Sequence, residues 1–256
     1  MSKPRPRNRP NSYERKMSGR PHGSGENWLW GAHAVSAAVR NPARQIKRLV
    51  GTQNALDRLG QIEVRAECLE PGAINALLPR DAVHQGLAVQ AEPLVPVQIE
   101  DVITAGIQRV AVLDQISDPH NLGAIYRSAA AFGFGAVILQ TRNAPAITGV
   151  AAKAAVGAIE TVQECRVVNI ARALETLNAA GFHTVGLAGE GTALIGQAVQ
   201  GAARVAVILG AEGPGLRPGV AKACAELARI PIAAEMESLN VSNAAAIAFY
   251  ETCRDA

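Results

Sequence analysis

Three short polar stretches interrupt an otherwise apolar chain: DQISDPHNLGAIYRSAAAFG (114–133), VILGAEGPGL (207–216) and IPIAAEMESLNVSNAAAIAFYE (230–251). In the first, Asp118-Pro119 and Asn121 supply helix-start chemistry after a strand. Leu122, Ile125, Ala129 and Phe132 then fall on one apolar stripe. Arg127 projects elsewhere, on a face shared with Ala124 and Ala131, where small side chains let another backbone or subunit approach. Spacing leaves two readings of Arg127 open. It is an ordinary exposed helix arginine, or a guanidinium held over a site to bind phosphate or a reacting oxygen. His120 is a candidate base, although a histidine in a Pro-His-Asn turn reads more simply as a solvated loop residue.

The second stretch places Gly210, Gly213 and Gly215 directly after a strand, which gives a ligand room to approach the backbone. Its G-x-x-G-x-G order differs from the G-x-G-x-x-G of dinucleotide loops, and Glu212 inside it would repel a pyrophosphate. An adenosine-type ligand without phosphates suits it better. The third stretch packs Ser238, Asn240, Ser242 and Asn243 into a strand-to-helix junction. Capping by Ser242 or Asn240 is the plain explanation. Three polar loops at the ends of strands in one sheet are nevertheless more than caps require.

The elements that must position these loops are legible from periodicity. Short β-branched runs at 109–116, 135–140, 161–168, 182–188, 203–211 and 227–233 alternate with helical stretches at 121–132, 147–157, 169–180, 217–226 and 242–254. Continuous apolar strands separated by helices imply an α/β fold with a mostly parallel sheet covered on both faces. In such sheets ligands bind beyond the carboxyl ends of the strands. Ahead of this lies a smaller α/β unit, 28–92, with a helix at 31–41, strands at 45–53, 62–69 and 84–94, and short helices at 54–60 and 71–79. The proline-containing stretch 93–106 reads as a linker, and 107–256 as the larger domain.

Composition limits the function classes. Hydrophobic residues make up 48% and aromatics only 4%, which argues against a single-stranded nucleic-acid platform of stacked rings. Cys68, Cys165, Cys224 and Cys253 lie far apart with no zinc-type spacing and read as reduced thiols; no metal is expected. With no apolar run of membrane-span length and no signal-peptide core, a cytoplasmic location is expected. The net charge of +3 is uneven. Residues 1–27 hold seven basic and two acidic side chains, which leaves 18 basic and 20 acidic of the totals of 25 and 22. That stretch reads as a disordered basic tail, either an electrostatic arm for phosphate backbones or a solvated leader.

NLGAIYRSA, LGAEGPGL and IPIAAEMESLNVSNAAAIA, in that order and spacing, resemble the three motifs of the SpoU/TrmH branch of the SPOUT RNA 2′-O-methyltransferases. GAHAVSAAV and HQGLA resemble the small ribosomal-protein-like RNA-binding domain of the RlmB subgroup, so the likeness covers about residues 28 to 255. The resemblance implies a knotted methyltransferase domain, a homodimer, an RNA substrate and S-adenosyl-L-methionine as cofactor. By motif match it gives catalytic positions to Asn121, Arg127, Glu212, Ser238 and Asn240. Cofactor contacts fall to Gly210, Ile230 and Leu239, chiefly through backbone groups, with Leu187, Ala188 and Gly189 as a further wall. Two positions depart from the family pattern: Ile232 stands for methionine and Ala234 for glycine. The implied reaction is methylation of a ribose 2′-hydroxyl of rRNA, a guanosine of 23S rRNA above all. Transfer to tRNA, and a noncatalytic ribosome-assembly factor on the same fold, are the alternatives. Arg127 would activate the hydroxyl as a base, or steer it and stabilise developing oxyanion charge.

Overall fold

Two sheets, one small and mixed, one large and wholly parallel, organise residues 27–142, 147–233 and 235–254, which the computed structural model describes. The expected basic tail, apart from Asn27, and the family departure at Ala234 lie outside the described residues.

The small unit runs β1 (Trp28–Trp30), α1 (Ala32–Arg40), β2 (Ile46–Gly51), α2 (Gln53–Leu59), β3 (Ala66–Cys68), α3 (Pro71–Asn75) and β4 (Leu87–Ala91). Its strand order is β1-β4-β2-β3, with β4 antiparallel to both neighbours and β3 parallel to β2. The stretch 93–106, read from its prolines as a linker, is not an open tether. It forms α4 (Ile99–Thr104), closed by a reciprocal capping box between Gln98 and Asp101, and buries Val102 completely. Just before α4, the Val97 amide donates to the Glu164 carbonyl at 2.8 Å, which fastens the segment to the edge of the large sheet.

The large sheet is built from β5 (Arg109–Leu113), α5 (Pro119–Ala131), β6 (Ala136–Gln140), α6 (Gly149–Ala155), β7 (Gln163–Val167), α7 (Ile170–Ala179), β8 (His183–Leu187), β9 (Ala193–Leu194), α8 (Ile195–Ala198), β10 (Val205–Leu209), α9 (Pro218–Ala223), β11 (Glu226–Arg229) and α10 (Val241–Glu251). The strand order is β7-β6-β5-β10-β8-β11-β9, every pair parallel. The apolar runs follow from burial on both faces. Along β10, Val205, Val207 and Leu209 enter one core cluster while Ala206 and Ile208 enter another, and β5 and β6 divide in the same way. Leu122 and Ile125 of α5 and Phe249 of α10 cover the first face; Leu174 of α7 and Val220 of α9 cover the second.

Several boundaries differ from the sequence reading for local reasons. The last parallel strand stops at Arg229 instead of 233, because Pro231 has no amide to donate to a ladder. The stretch 62–69 yields only the three residues of β3. Asn121 does not mark the helix start: Asp118 is the N-cap, accepting from the His120 amide at 2.9 Å, and Asn121 sits in the first turn. The short strands β1 and β9 and the short helix α8 lack enough residues to show a period.

The two units share one core. Leu29, Val35 and Leu49 of the small unit belong to the same buried cluster as Leu113, Leu139 and Phe249. At Gly149 a Cβ would lie 1.9 Å from the Trp30 ring, so only glycine lets α6 meet β1. Arg44 and Glu160, with side chains 4% and 6% exposed, form a bidentate pair across the junction at 2.6 and 3.1 Å. Asn41 adds a 2.7 Å hydrogen bond to the same carboxylate. One buried group stands out by contrast: the Tyr126 hydroxyl has no hydrogen-bond partner among the described residues, and burial pushes its phenol well above the ordinary value.

These two observations give opposite expectations in chemical denaturation. Arg44→Ala strands a buried carboxylate and lowers unfolding free energy by about 3 kcal/mol. Tyr126→Phe removes an unpaired hydroxyl and leaves stability unchanged or raises it by about 1 kcal/mol; a clear loss in the second variant would show that the hydroxyl is bonded.

Candidate active site

The strand order turns back between β5 and β10. The chain leaving β5 enters α5 on one face of the sheet, whereas the chain leaving β10 enters α9 on the other. The segments leaving the two paired strand ends therefore diverge and leave a crevice between them, the usual place for a ligand in a parallel sheet. The loops after β8 and β11 lie beside it, because β10, β8 and β11 are consecutive neighbours.

Three polar side chains meet there. Glu212, in the loop after β10, accepts at Oε1 from Asn121 Nδ2 at 3.0 Å and from Asn240 Nδ2 at 2.8 Å. The Val241 amide approaches the same oxygen at 3.4 Å. Asn240 Nδ2 also donates to Asn121 Oδ1 at 3.0 Å, closing a triangle of residues from the three stretches. Asn240 is at the same time the N-cap of α10: its Oδ1 accepts from the Ser242 amide at 2.9 Å and the Asn243 amide at 3.4 Å. Capping and site building are one arrangement. The oxygen holds the helix start and the NH2 group faces the carboxylate, so neither reading of SLNVSN excludes the other.

The loop carrying Glu212 is tightly folded. The Gly215 amide donates to the Ala211 carbonyl at 3.0 Å, and a Cβ on Gly210 would lie 2.2 Å from the Gly215 carbonyl carbon. Gly210 thus permits the close return of the backbone that presents Glu212 to the crevice.

A second anchor was not recognised from the sequence. Asp114, at the end of β5, is fully buried and holds Arg217 at the far end of the glycine loop. Arg217 donates through its amide to Asp114 Oδ2 at 3.0 Å and through Nε to Oδ1 at 2.8 Å, with a further guanidinium contact at 2.6 Å. The same guanidinium reaches Gln140 Oε1, at the end of β6, at 3.1 Å. The clamp fixes the 210–217 loop to two strand ends. Backbone strain accompanies it: Gln115, the next residue after Asp114, has φ 62. The available signal was a single aspartate closing the apolar run VAVLD, a costly place for a carboxylate without a partner.

Other site positions stand apart from the triangle. Arg127 is exposed and makes no hydrogen bond or ion pair among the described residues. Six residues on from Asn121, it lies ~9 Å further along α5 and ~120° around it. Ser238 is exposed in the segment 230–240, as are Ile232 and Met236, while Leu239 is half-buried. Leu187 ends β8, and the Ala188 amide that follows donates to the Ala228 carbonyl at 3.0 Å, leaving Gly189 at the surface. Gly210 and Ile230 directly follow β10 and β11. These cofactor candidates, Leu187 to Gly189, Gly210, Ile230 and Leu239, carry no basic side chain. Small or apolar walls and one nearby carboxylate fit a neutral nucleoside bearing a cationic centre, and they do not fit a pyrophosphate.

The four cysteines are free, and burial pushes Cys165 and Cys224 up to about 12. Among the described residues no three His, Cys, Asp or Glu side chains come together as a metal site, and no helix is long and apolar enough to cross a membrane.

Comparison with known proteins agrees with this geometry. Residues 108–250 match the SpoU rRNA Methylase family. The 23S rRNA (guanosine-2′-O-)-methyltransferase RlmB of Vibrio cholerae is 36% identical over 239 residues, which cover 88% of this chain and 96% of that relative. The AdoMet-bound rRNA methyltransferase of Sinorhizobium meliloti superposes with a TM-score of 0.76 at 22% identity, over 95% of this chain and 90% of that one. The SpoU methyltransferase AviRb of Streptomyces viridochromogenes, in complex with AdoMet, superposes with a TM-score of 0.74 at 22% identity, over 95% and 93%. These two likenesses show the fold, that of the SpoU/TrmH SPOUT methyltransferases. The family match spans more than half the chain and carries all three polar stretches: the protein belongs to the SpoU rRNA methylase family.

Proposed function

We propose that this protein transfers a methyl group from S-adenosyl-L-methionine to a ribose 2′-hydroxyl of ribosomal RNA, on a guanosine of the large subunit. The observation that carries the reading is the convergence of Asn121, Glu212 and Asn240 on one carboxylate oxygen at the β5–β10 crevice. Relatives 36% identical along 88% of this chain, the RlmB proteins of Vibrio cholerae and a Burkholderia species, are named for that reaction.

Backbone groups at Leu187 to Gly189, Gly210, Ile230 and Leu239 hold the cofactor, which when bound supplies a sulfonium-activated methyl group. The chain's own part would be to hold the ribose 2′-hydroxyl in line with that methyl group and let its proton pass to solvent. Most of the acceleration in such a transfer comes from holding the reacting atoms in line. Glu212 is the organiser of that geometry, keeping the Asn121 and Asn240 amides in fixed orientations, while Ser238 shapes the ribose end. Arg127 has donors only and no partner of its own, so it serves as a clamp that orients the hydroxyl and offsets charge growing on its oxygen.

Two further assignments complete the reading. The unit at 28–92 binds the RNA substrate, the stretch 93–106 joins it to the catalytic domain at 107–256, and the shared core makes the pair move together. The protein works as a cytoplasmic homodimer. Arg127 shares its helix face with Ala124 and Ala131, and α10 beside it leaves Ile247 and Tyr250 39% and 48% exposed, with Tyr250 edge-on to Phe132 at 6.1 Å. A second copy laid on this face covers the apolar side chains and brings Arg127 against the partner.

Methyl transfer from radiolabelled cofactor to large-subunit rRNA tests the central assignment. Arg127→Ala lowers turnover by about 10² to 10³-fold and leaves cofactor affinity, measured by calorimetry, as in the parent. Loss of cofactor affinity or of the dimer instead would make Arg127 structural. Deleting residues 1–24 removes seven basic side chains. It therefore weakens RNA binding and flattens its dependence on salt, with cofactor affinity unchanged; an unaltered salt slope would exclude an electrostatic role for the tail.

A further inference from the structure

A hollow opens in the small unit, away from the crevice. It measures about 420 Å³, within the range of small-ligand sites. Asn54, Arg58, Asn75, His84 and Gln85 bring polar groups to it, and Pro71, Ala82 and Val83 form its apolar wall. A second hollow of about 130 Å³ lies against it at the junction with the catalytic domain, lined in part by His33, Lys153 and Val156. Gln85 lines both, which sets them side by side along one grooved surface.

Three properties set this groove apart from an incidental surface dent. No Asp or Glu lines either hollow, in a chain with 22 acids, while Arg58 and Lys153 each bring a positive charge. Lys153 forms no ion pair among the described residues, and the Arg58 guanidinium is held only by Nε, which donates to the Asn54 carbonyl at 3.1 Å. The backbone is also strained along the lining: Gln85, shared by both hollows, and Val156, in the second, each have φ 54, a conformation costly for a β-branched valine. Finally, the donors are pre-set. Gln85 Oε1 accepts from the Ala32 amide at 3.0 Å, leaving its NH2 group unpartnered. His84 Nδ1 accepts from the Gly86 amide at 3.0 Å, which puts the proton of the neutral ring at Nε2, and burial lowers its tendency to protonate.

Cationic ends, amide donors and acceptors, and a flat apolar wall are what one extruded nucleotide requires. Resting on the RNA-methyltransferase reading above, we propose that this groove is a recognition subsite for a single unpaired nucleotide of the substrate RNA. Its base enters the larger hollow among Asn54, Asn75 and His84, and its backbone phosphates lie toward Arg58 and Lys153. The subsite is rigidly coupled to the catalytic crevice. Lys153 belongs to α6, whose backbone touches α5 at Gly123, where a Cβ would lie 2.3 Å from the Ala151 carbonyl oxygen; α5 carries Asn121 and Arg127. A nucleotide fixed in the groove therefore sets which ribose reaches the crevice. The small unit acts as a ruler and not merely as an added patch of affinity.

Two variants of the full chain test this. Val83→Trp fills the hollow from a position that is 59% exposed, and the pair Arg58→Ala with Asn75→Ala removes its polar contacts. The probe is a transcript of large-subunit rRNA, read by filter binding, by methyl-transfer KM and kcat, and alongside by S-adenosylmethionine affinity and melting temperature. Both variants raise RNA Kd and KM by about tenfold or more, the loss of a stacked and hydrogen-bonded base, while kcat at saturating RNA and cofactor affinity stay at parent values. Parent-like RNA affinity in either variant overturns the subsite while leaving the methyltransferase reading intact. A parent protein that neither takes up S-adenosylmethionine nor methylates RNA would overturn that reading, and the subsite with it.

Discussion

One carboxylate oxygen, Glu212 Oε1, accepts from the side chains of residues 91 and 28 positions away in the chain and is approached by the amide that opens the last helix. The donors come from two segments and the acceptor from a third, so the position of any one segment fixes the other two. A charged acceptor makes these bonds shorter and stronger than those between neutral groups. The rest of the architecture keeps that oxygen in place. The parallel sheet brings the ends of β5 and β10 together, the glycine loop turns Glu212 back over them, and the Asp114–Arg217 clamp stops the loop from lifting. Asp114 is buried because its partner completes it, and a carboxylate there without Arg217 would be a liability.

Much of this was visible before any coordinates. Strands buried on both faces must be apolar throughout, so β5, β6 and β10 announce themselves as runs, and the helices between them follow from period and caps. The three polar stretches were legible as candidate site segments, and the motif resemblance singled out Asn121, Glu212 and Asn240, but their hydrogen bonds to one another were not. What remained hidden was pairwise. Asp114 and Arg217 are 103 residues apart and each looks ordinary alone. Arg44 and Glu160, 116 apart, are the same case. Local sequence carries no record of such distant partners, and for that reason 93–106 read as a tether although it is tied to β7.

The junction between the two units has a functional consequence. A flexible adapter would raise local RNA concentration without choosing a nucleotide. Here the buried Arg44–Glu160 pair, the Trp30–Gly149 contact and a continuous apolar core join the small unit to α6, and α6 to α5. Under the proposed function, a nucleotide bound by one unit would thereby be held at a fixed distance from the other. Arg127 fits the same logic in its own way. It lies outside the triangle, without a partner among the described residues, on a face of small residues.

The account stands on where the methyl group goes. Site-resolved mapping of the rRNA, after large-subunit RNA is incubated with the protein and S-adenosyl-L-methionine, measures this directly. The account predicts one new modification, a 2′-O-methyl on the ribose of a guanosine. A methyl on a base, or none at all from a protein that binds the cofactor, would contradict it.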